Sequence, residues 1–170
     1  MASIYNISTW STSTTYEKNA IVIHAGLYFY SLTNSNLGNT PSPTSSSWGG
    51  HSTLTGITKP SFIWTPSYNF SVDTEPLVRS IRFGEGYEQR LKEGINNSLI
   101  KIDFSFEKRS LKESTAIIHF FSERDGAESF IFSVPEPYNV RKLFVVRNWN
   151  LTQTFVNNYS IKANFEEVPF

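Results

Sequence analysis

The sequence predicts a mainly β protein: a small β module at the N-terminus, followed by an antiparallel β-sandwich or barrel with one flanking α-helix. Three observations predict it. Aromatic residues make up 15% of the 170 residues and charged residues only 18%, and aromatic and β-branched side chains fit a pleated surface. Apolar residues recur with period two in several segments. Only the stretch from Leu111 to Asp125 carries apolar residues at helical spacing.

Composition also excludes several functions. The formal net charge is zero, whereas a protein that grips nucleic acid usually shows a basic excess that neutralises phosphates. The absence of cysteine rules out disulfides, thiolate metal sites and cysteine catalysis. His24, His51 and His119 have no partner at metal-ligand spacing, so no metal site is expected. No cofactor is expected either. The start of the chain lacks the basic and apolar regions of a secretory signal. No apolar run approaches the length of a membrane span, so membrane insertion is not expected.

Residues 1–50 form the first unit. Ala20 to His24 and Leu27 to Leu32 are strand candidates broken at Gly26, which reads as a hairpin. Asn34 to Ser47, with Gly38, Pro41 and Pro43, reads as loop. So small a unit needs its few large rings for a core, and Trp10, Tyr28 and Trp48 are assigned to it. Tyr16, Phe29 and Tyr30 are the candidates for exposed stacking on a glycan or for docking. Phe29 points opposite to Tyr28 and Tyr30 along a strand.

Residues 51–60, rich in Gly, Ser and Thr, read as a linker. The body spans residues 61–170. Phe62 to Trp64 reads as a short strand, ended by Pro66. Leu77 to Phe83 is strand-like, and Phe83-Gly84-Glu85-Gly86-Tyr87 reads as a tight reversal in which glycine supplies positive φ. Tyr87, Gln89 and Leu91 continue with period two as a return strand. G-E-G with no third glycine and no following helix is a turn, not a dinucleotide loop.

Asn97 to Arg109 alternates most clearly, with Ile100, Ile102, Phe104 and Phe106 on one face and Lys101, Asp103, Ser105 and Glu107 on the other. Ser110 followed by Glu113 is a capping box and starts the helix. Leu111, Ile118 and Phe121 give its apolar stripe, widened by Ile117 and Phe120, and Gly126 ends it. Ser129 to Val134 is a strand, and Pro135 to Asn139 a loop. Lys142 to Leu151 and Tyr159 to Val168 are two closing strands joined near Asn157 and Asn158. Trp149 lies in the first and Phe165 in the second.

Two resemblances follow from these residues. The order Trp10, Tyr16, Val22, Gly26-Leu27-Tyr28, Pro41 and Trp48 resembles the small chitin- and cellulose-binding modules of bacterial glycosidases. Where that family carries sugar-stacking tryptophans, this chain has Leu32-Thr33-Asn34 and Asn39-Thr40. The second resemblance covers nearly all of residues 62 to 168. F-I-W-T-P-S-Y from Phe62, V-R-S-I-R-F-G-E-G-Y-E-Q-R from Val78 and G-I-N from Gly94 are similar to the minor tail protein M family of lambda-type phages. So are the helix, Gly turn and aromatic strand from Ile117 to Pro135, and the closing strands at Asn148-Trp149 and Ile161 to Val168. The residues that carry this likeness are Phe62, Trp64, Pro66, Phe83, Gly84, Gly86, Tyr87, Gln89, Arg90, Gly94, Asn96, Gly126, Phe130, Trp149 and Phe165.

The resemblance implies a tail-tube-like fold and a structural protein of the tail tip, made in the host cytoplasm and ending in the virion. It implies partners as well: further copies in a sixfold ring, the tail tube protein and the distal tail tip proteins. DNA would pass through without specific binding, which zero net charge suits better than a basic chain would. The front module would contact host surface polysaccharide. The alternative is a carbohydrate-binding adhesion protein anchored by its body. An enzyme would have to use Glu85, Glu88 or Glu136, and a carboxylate in a turn is more often a solvated turn residue.

Overall fold

The computed structural model describes residues 7–96 and 98–169. Residues 1–6, Asn97 and Phe170, which fall in the expected module, the expected strand from Asn97 and the expected body, lie outside it. Within the described residues the chain is mainly β, as the alternation predicts, and its one α-helix lies where the capping box places it.

The first four strands are β1 (Ser8–Thr9), β2 (Ile21–His24), β3 (Leu27–Ser31) and β4 (Trp48–Gly49), which form one sheet in that order. β1 runs parallel to β2, and the other pairs are antiparallel. The β2–β3 turn places Ala25 and Gly26 consecutively at positive φ (51° and 78°), the backbone shape of the two-residue turn that matches strand twist.

The stretch expected to be a linker is instead a hairpin of β5 (His51–Leu54) and β6 (Ile57–Pro60). Thr55 and Gly56 also sit at positive φ (49° and 82°). The Gly, Ser and Thr content that suggests a flexible link here supplies a turn and two short strands.

The body follows with β7 (Ser71–Thr74), β8 (Val78–Arg82), β9 (Glu88–Lys92), β10 (Ile100–Arg109), helix α1 (Leu111–Arg124), β11 (Phe130–Ser133), β12 (Arg141–Phe155) and β13 (Asn158–Val168). Five of these make an antiparallel sheet in the order β11-β12-β13-β10-β7. β7 was not anticipated. It pairs with the first residues of β10, Thr74 opposite Ile100 and Ser71 opposite Asp103.

Helix α1 begins as the sequence predicts: the Ser110 side chain accepts a hydrogen bond from the Glu113 N–H. It ends with Asp125 and Gly126 both left-handed. A Cβ at Gly126 would meet the Arg147 backbone at 3.4 Å, so the glycine serves both conformation and close approach. The buried face holds Ile117, Phe120, Phe121 and Arg124. Leu111, expected in the apolar stripe, is exposed, because it is the first residue of the helix and the buried residues begin at Ser114.

One sheet face and α1 enclose the main core. β10 contributes Ile100, Ile102, Phe104 and Phe106, the residues that the alternation assigns to one face, and β13 contributes Ile161, Ala163 and Phe165. Phe62 is the hub of this core. Its ring stacks on Phe121 (5.4 Å, interplanar angle 1°) and meets Trp64, Phe106, Phe120, Phe132 and Phe165 edge to face. Phe62 to Trp64 is not a strand, contrary to expectation. Only Ser61 bridges Ile131, and the Phe62 N–H donates to the Ile131 carbonyl. Pro60 and Pro66 bracket the segment and cannot donate to a ladder.

A second, smaller core lies in the front sheet: Tyr16, Val22, Phe29 and Trp48, with Trp10 and Ala20 against them. Strand β3 is shared by both cores. Phe29 faces the small one and Tyr30 enters the main one, which period-two alternation permits because both faces of the strand are covered. Close packing at this seam requires glycine. At Gly50, where φ is 115°, a Cβ would lie 2.9 Å from the Tyr28 carbonyl oxygen and from the Tyr30 ring.

Candidate assembly surface

Among the described residues β8 and β9 pair only with each other and form a separate two-stranded sheet. Their register sets Val78 opposite Lys92, Ser80 opposite Arg90 and Arg82 opposite Glu88 on one face, with Arg79 opposite Leu91 and Ile81 opposite Gln89 on the other. The reversal is a three-residue 3₁₀ turn, Gly84–Gly86, closed by the Phe83 N–H donating to the Tyr87 carbonyl at 2.8 Å. Positive φ falls on Glu85 (65°) and Gly86 (82°), not on Gly84. The sequence therefore locates the turn correctly but misplaces one of its two left-handed residues.

This arm has almost no interior. Leu77, Val78 and Leu91 are exposed, Phe83 is 50% exposed, Tyr87 67% and Ile95 99%. The Phe83 and Tyr87 rings lean on each other at 5.7 Å. The arm carries Arg79, Arg82, Arg90 and Lys92 against Glu85, Glu88 and Glu93, an excess of one positive charge. Glu88 pairs with Arg90 at 3.3 Å, and a hydrogen bond from Ser80, with Arg90 second, holds its carboxyl below the usual carboxylate range. A lone two-stranded hairpin is at best marginally stable in water, so bulky apolar residues on one indicate a surface that something else covers.

A second apolar patch lies at the turn between β12 and β13, where Leu151, Phe155 and Val156 are exposed next to exposed Leu111. The Leu111 N–H donates to the Asn157 side chain at 2.7 Å, tying this tip to the start of α1. The two patches are at opposite ends of the sheet. The arm lies between β7 and the start of β10, whereas the β12–β13 tip adjoins the end of β10, where Arg109 pairs with Tyr159. Ten residues of strand separate those ends, roughly 30 Å at the rise of a β-strand. The sequence shows a turn at Asn157 and Asn158 but gives no sign that the apolar residues before it stay uncovered.

The sheet face away from α1 is polar. Asp103, Asn148, Asn150, Lys162 and Asn164 line a shallow depression of about 410 Å³ there, and the Asn164 amide donates to Asp103 at 2.7 Å.

The residues singled out from the sequence divide cleanly by place. Phe62, Trp64, Phe130 and Phe165 are buried, Pro66 and Trp149 half-buried, and Trp149 packs against Phe121. Phe83, Gly84, Gly86, Tyr87, Gln89 and Arg90 are exposed on the arm, and Gly94 and Asn96 follow it, also exposed. Tyr16, Phe29 and Tyr30, expected to be available for sugar stacking or docking, are all buried. The alternation of β3 gives the directions of Phe29 and Tyr30 correctly, but both directions lead into a core. Of the expected module core, Trp48 is buried and donates from its indole to the Asn39 carbonyl at 2.7 Å. Trp10 is half-buried and packs edge-on against His24. Tyr28 turns toward α1 and meets His119 edge-on at 4.9 Å. Glu85 and Glu136 are exposed.

Comparison with known proteins bears on this arrangement. Residues 60–169 match the family model described as phage minor tail protein. The protein named tail tip protein M of Escherichia phage lambda is 30% identical over 108 residues, covering 63% of this chain and 95% of that relative. Tail tip protein M of Escherichia phage N15 is 34% identical over 79 residues, 43% of this chain and 67% of that relative. Among solved structures, the tail of an empty GTA particle refined with C6 symmetry overlaps 60% of this chain and 75% of that one, at 12% identity and a TM-score of 0.41. A score of that size carries no weight here. The family match leaves residues 1–59 outside it.

Proposed function

The chain belongs to the phage minor tail protein family and is a structural component of the virion's tail, and we propose that it builds the tail tip by joining copies of itself end to end. The observation that carries this reading is the arm, an isolated hairpin with exposed apolar residues at one end of the sheet and a second apolar patch at the other. Two different surfaces at opposite ends favour a heterologous, head-to-tail contact, and such contacts close into rings when the rotation between copies allows. The ring joins the tail tube protein to the distal tip proteins, and six copies is the number that the family resemblance implies.

In that ring the polar sheet face with Asn148, Asn150 and Asn164 lines the DNA passage. Of the described residues, Lys162 is the one lysine lining the depression in this face, among amides and carboxylates, while Lys101 lies opposite Glu166 and Arg147 pairs with that carboxylate, so phosphates find little uncompensated charge to hold. A glycan-binding role for the front sheet would need an exposed aromatic platform, and the buried rings of Tyr16, Phe29 and Tyr30 do not supply one.

The test is a double substitution, Phe83→Ser with Tyr87→Ser, supplied in trans to phage lacking the native protein. Both side chains are exposed, so the purified variant should keep its thermal midpoint within about 2 °C. Tails should nevertheless lack the variant, and plaque titre should collapse. Wild-type titre with normal incorporation would remove the arm from the assembly surface.

A further inference from the structure

We propose that the seam between the front sheet and helix α1 is an acid-sensitive latch, held by the uncharged ring of His119 and released when that ring takes a proton. His119 is fully buried in the middle of α1, at the point where β3 crosses the helix. Its Nδ1 lies 2.9 Å from the Tyr30 hydroxyl. The Tyr28 ring meets it edge-on at 4.9 Å and the Tyr30 ring at 6.0 Å. Two successive inward positions of the front sheet thus close on one helix residue.

Burial and Arg124 act against a proton on this ring, and Glu123 acts for one. Arg124, on the same helix, is buried, with its guanidinium 4.3 Å above the Phe120 ring. His51, on β5, packs against Phe29; burial first, and then Arg124, pushes it below its ordinary value too. One carboxylate faces the other side of the ring: Glu123, 3.8 Å from Nε2, with Glu128 beyond it at 3.5 Å from Arg124. The Glu123 oxygen is too far for a hydrogen bond. The balance leaves His119 lowered to about 4, by burial first and Arg124 second.

The sign follows. With the seam open, His119 takes a proton near its ordinary value of about 6.5; with the seam closed it resists until about 4. Latch strength is therefore complete above pH 6.5 and is lost as pH falls toward 4, by about tenfold in the closing equilibrium per pH unit for one proton. Opening draws Tyr30 out of the main core and uncovers Trp64 and Phe120, which it touches.

Hydrogen exchange on the full-length protein tests this, with protection factors for β3 and the middle of α1 compared with β12 and β13 as an internal reference. From pH 7 to pH 4.5, protection at the seam should fall by about tenfold per unit below pH 6.5 while the reference holds. His119→Gln, which stays neutral and can still bond the Tyr30 hydroxyl, should flatten that fall. Unchanged seam protection in the wild-type chain, or an identical fall in the variant, would overturn the latch. If the variant does not fold, NMR titration of the wild-type histidines decides. A His119 midpoint well below the value of a free imidazole, about 6.5, supports the proposal, and an ordinary midpoint sinks it.

Discussion

Phe62 shows how much a single residue can organise. Its ring touches the helix, strands β10, β11 and β13, and Trp64, so truncation leaves a cavity that no neighbour can fill without leaving its own contact. Phe62→Ala should cost about 3–5 kcal/mol, measured as a lower midpoint in urea at unchanged slope; a loss under about 1 kcal/mol would mean that the core closes around the gap. Phe62 was visible in the sequence as part of a motif, but its place at the hub was not, because one Phe among fourteen has no local mark of centrality. Tyr30 teaches the converse. Period-two alternation gave its direction, and only the covering of both faces of β3, a fact of tertiary packing, turned an expected contact surface into core. Tyr16 is similar: its hydroxyl accepts from the Ser11 N–H at 2.8 Å, so its polar end is satisfied within the module.

Elements were legible where local chemistry decides them. Helix α1 was read from its cap, and Ser110→Ala should lower stability by about 1 kcal/mol, seen as a small downward shift of the thermal midpoint; no shift would mean that tertiary contacts alone hold the helix start. The β8–β9 reversal was read from its glycines. The β5–β6 hairpin was missed because Thr at a left-handed turn position is uncommon and its strands are short, so composition resembled a linker. β7 was missed for a related reason. Four residues, S-V-D-T, carry no pattern of their own and become a strand only because β10 offers an edge. The exposure of the arm was not legible at all. Its alternation resembles that of any half-buried strand, and whether a partner strand lies above it is settled elsewhere in the chain or in another copy.

At the scale of the whole molecule, the front sheet and the body share buried surface. Tyr30 packs on Trp64 and Phe120, the Trp64 indole donates to the Asn19 side chain at 3.0 Å, and Lys112 pairs with Glu17. Removing residues 1–50 should therefore destabilise residues 61–170, giving a lower thermal midpoint and faster proteolysis, whereas a tethered module would be lost without effect. Calorimetry of the shortened chain separates these outcomes. The family match covers residues 60–169 and leaves the front sheet outside it. The burial that the front sheet shares with the body was not legible, because the rings that join them look the same as rings that fill a small core.

The arm has a kinetic consequence. Among the described residues the arm's strands pair with no other strand, so in the head-to-tail assembly proposed above the first encounter between two copies would meet the entropy of ordering it before any burial is returned. Such a penalty would fall on nucleation and not on growth, so dilute subunits would remain dispersed until a seed presented a waiting surface. Self-association through the arm would thereby be timed by a template and not by concentration alone.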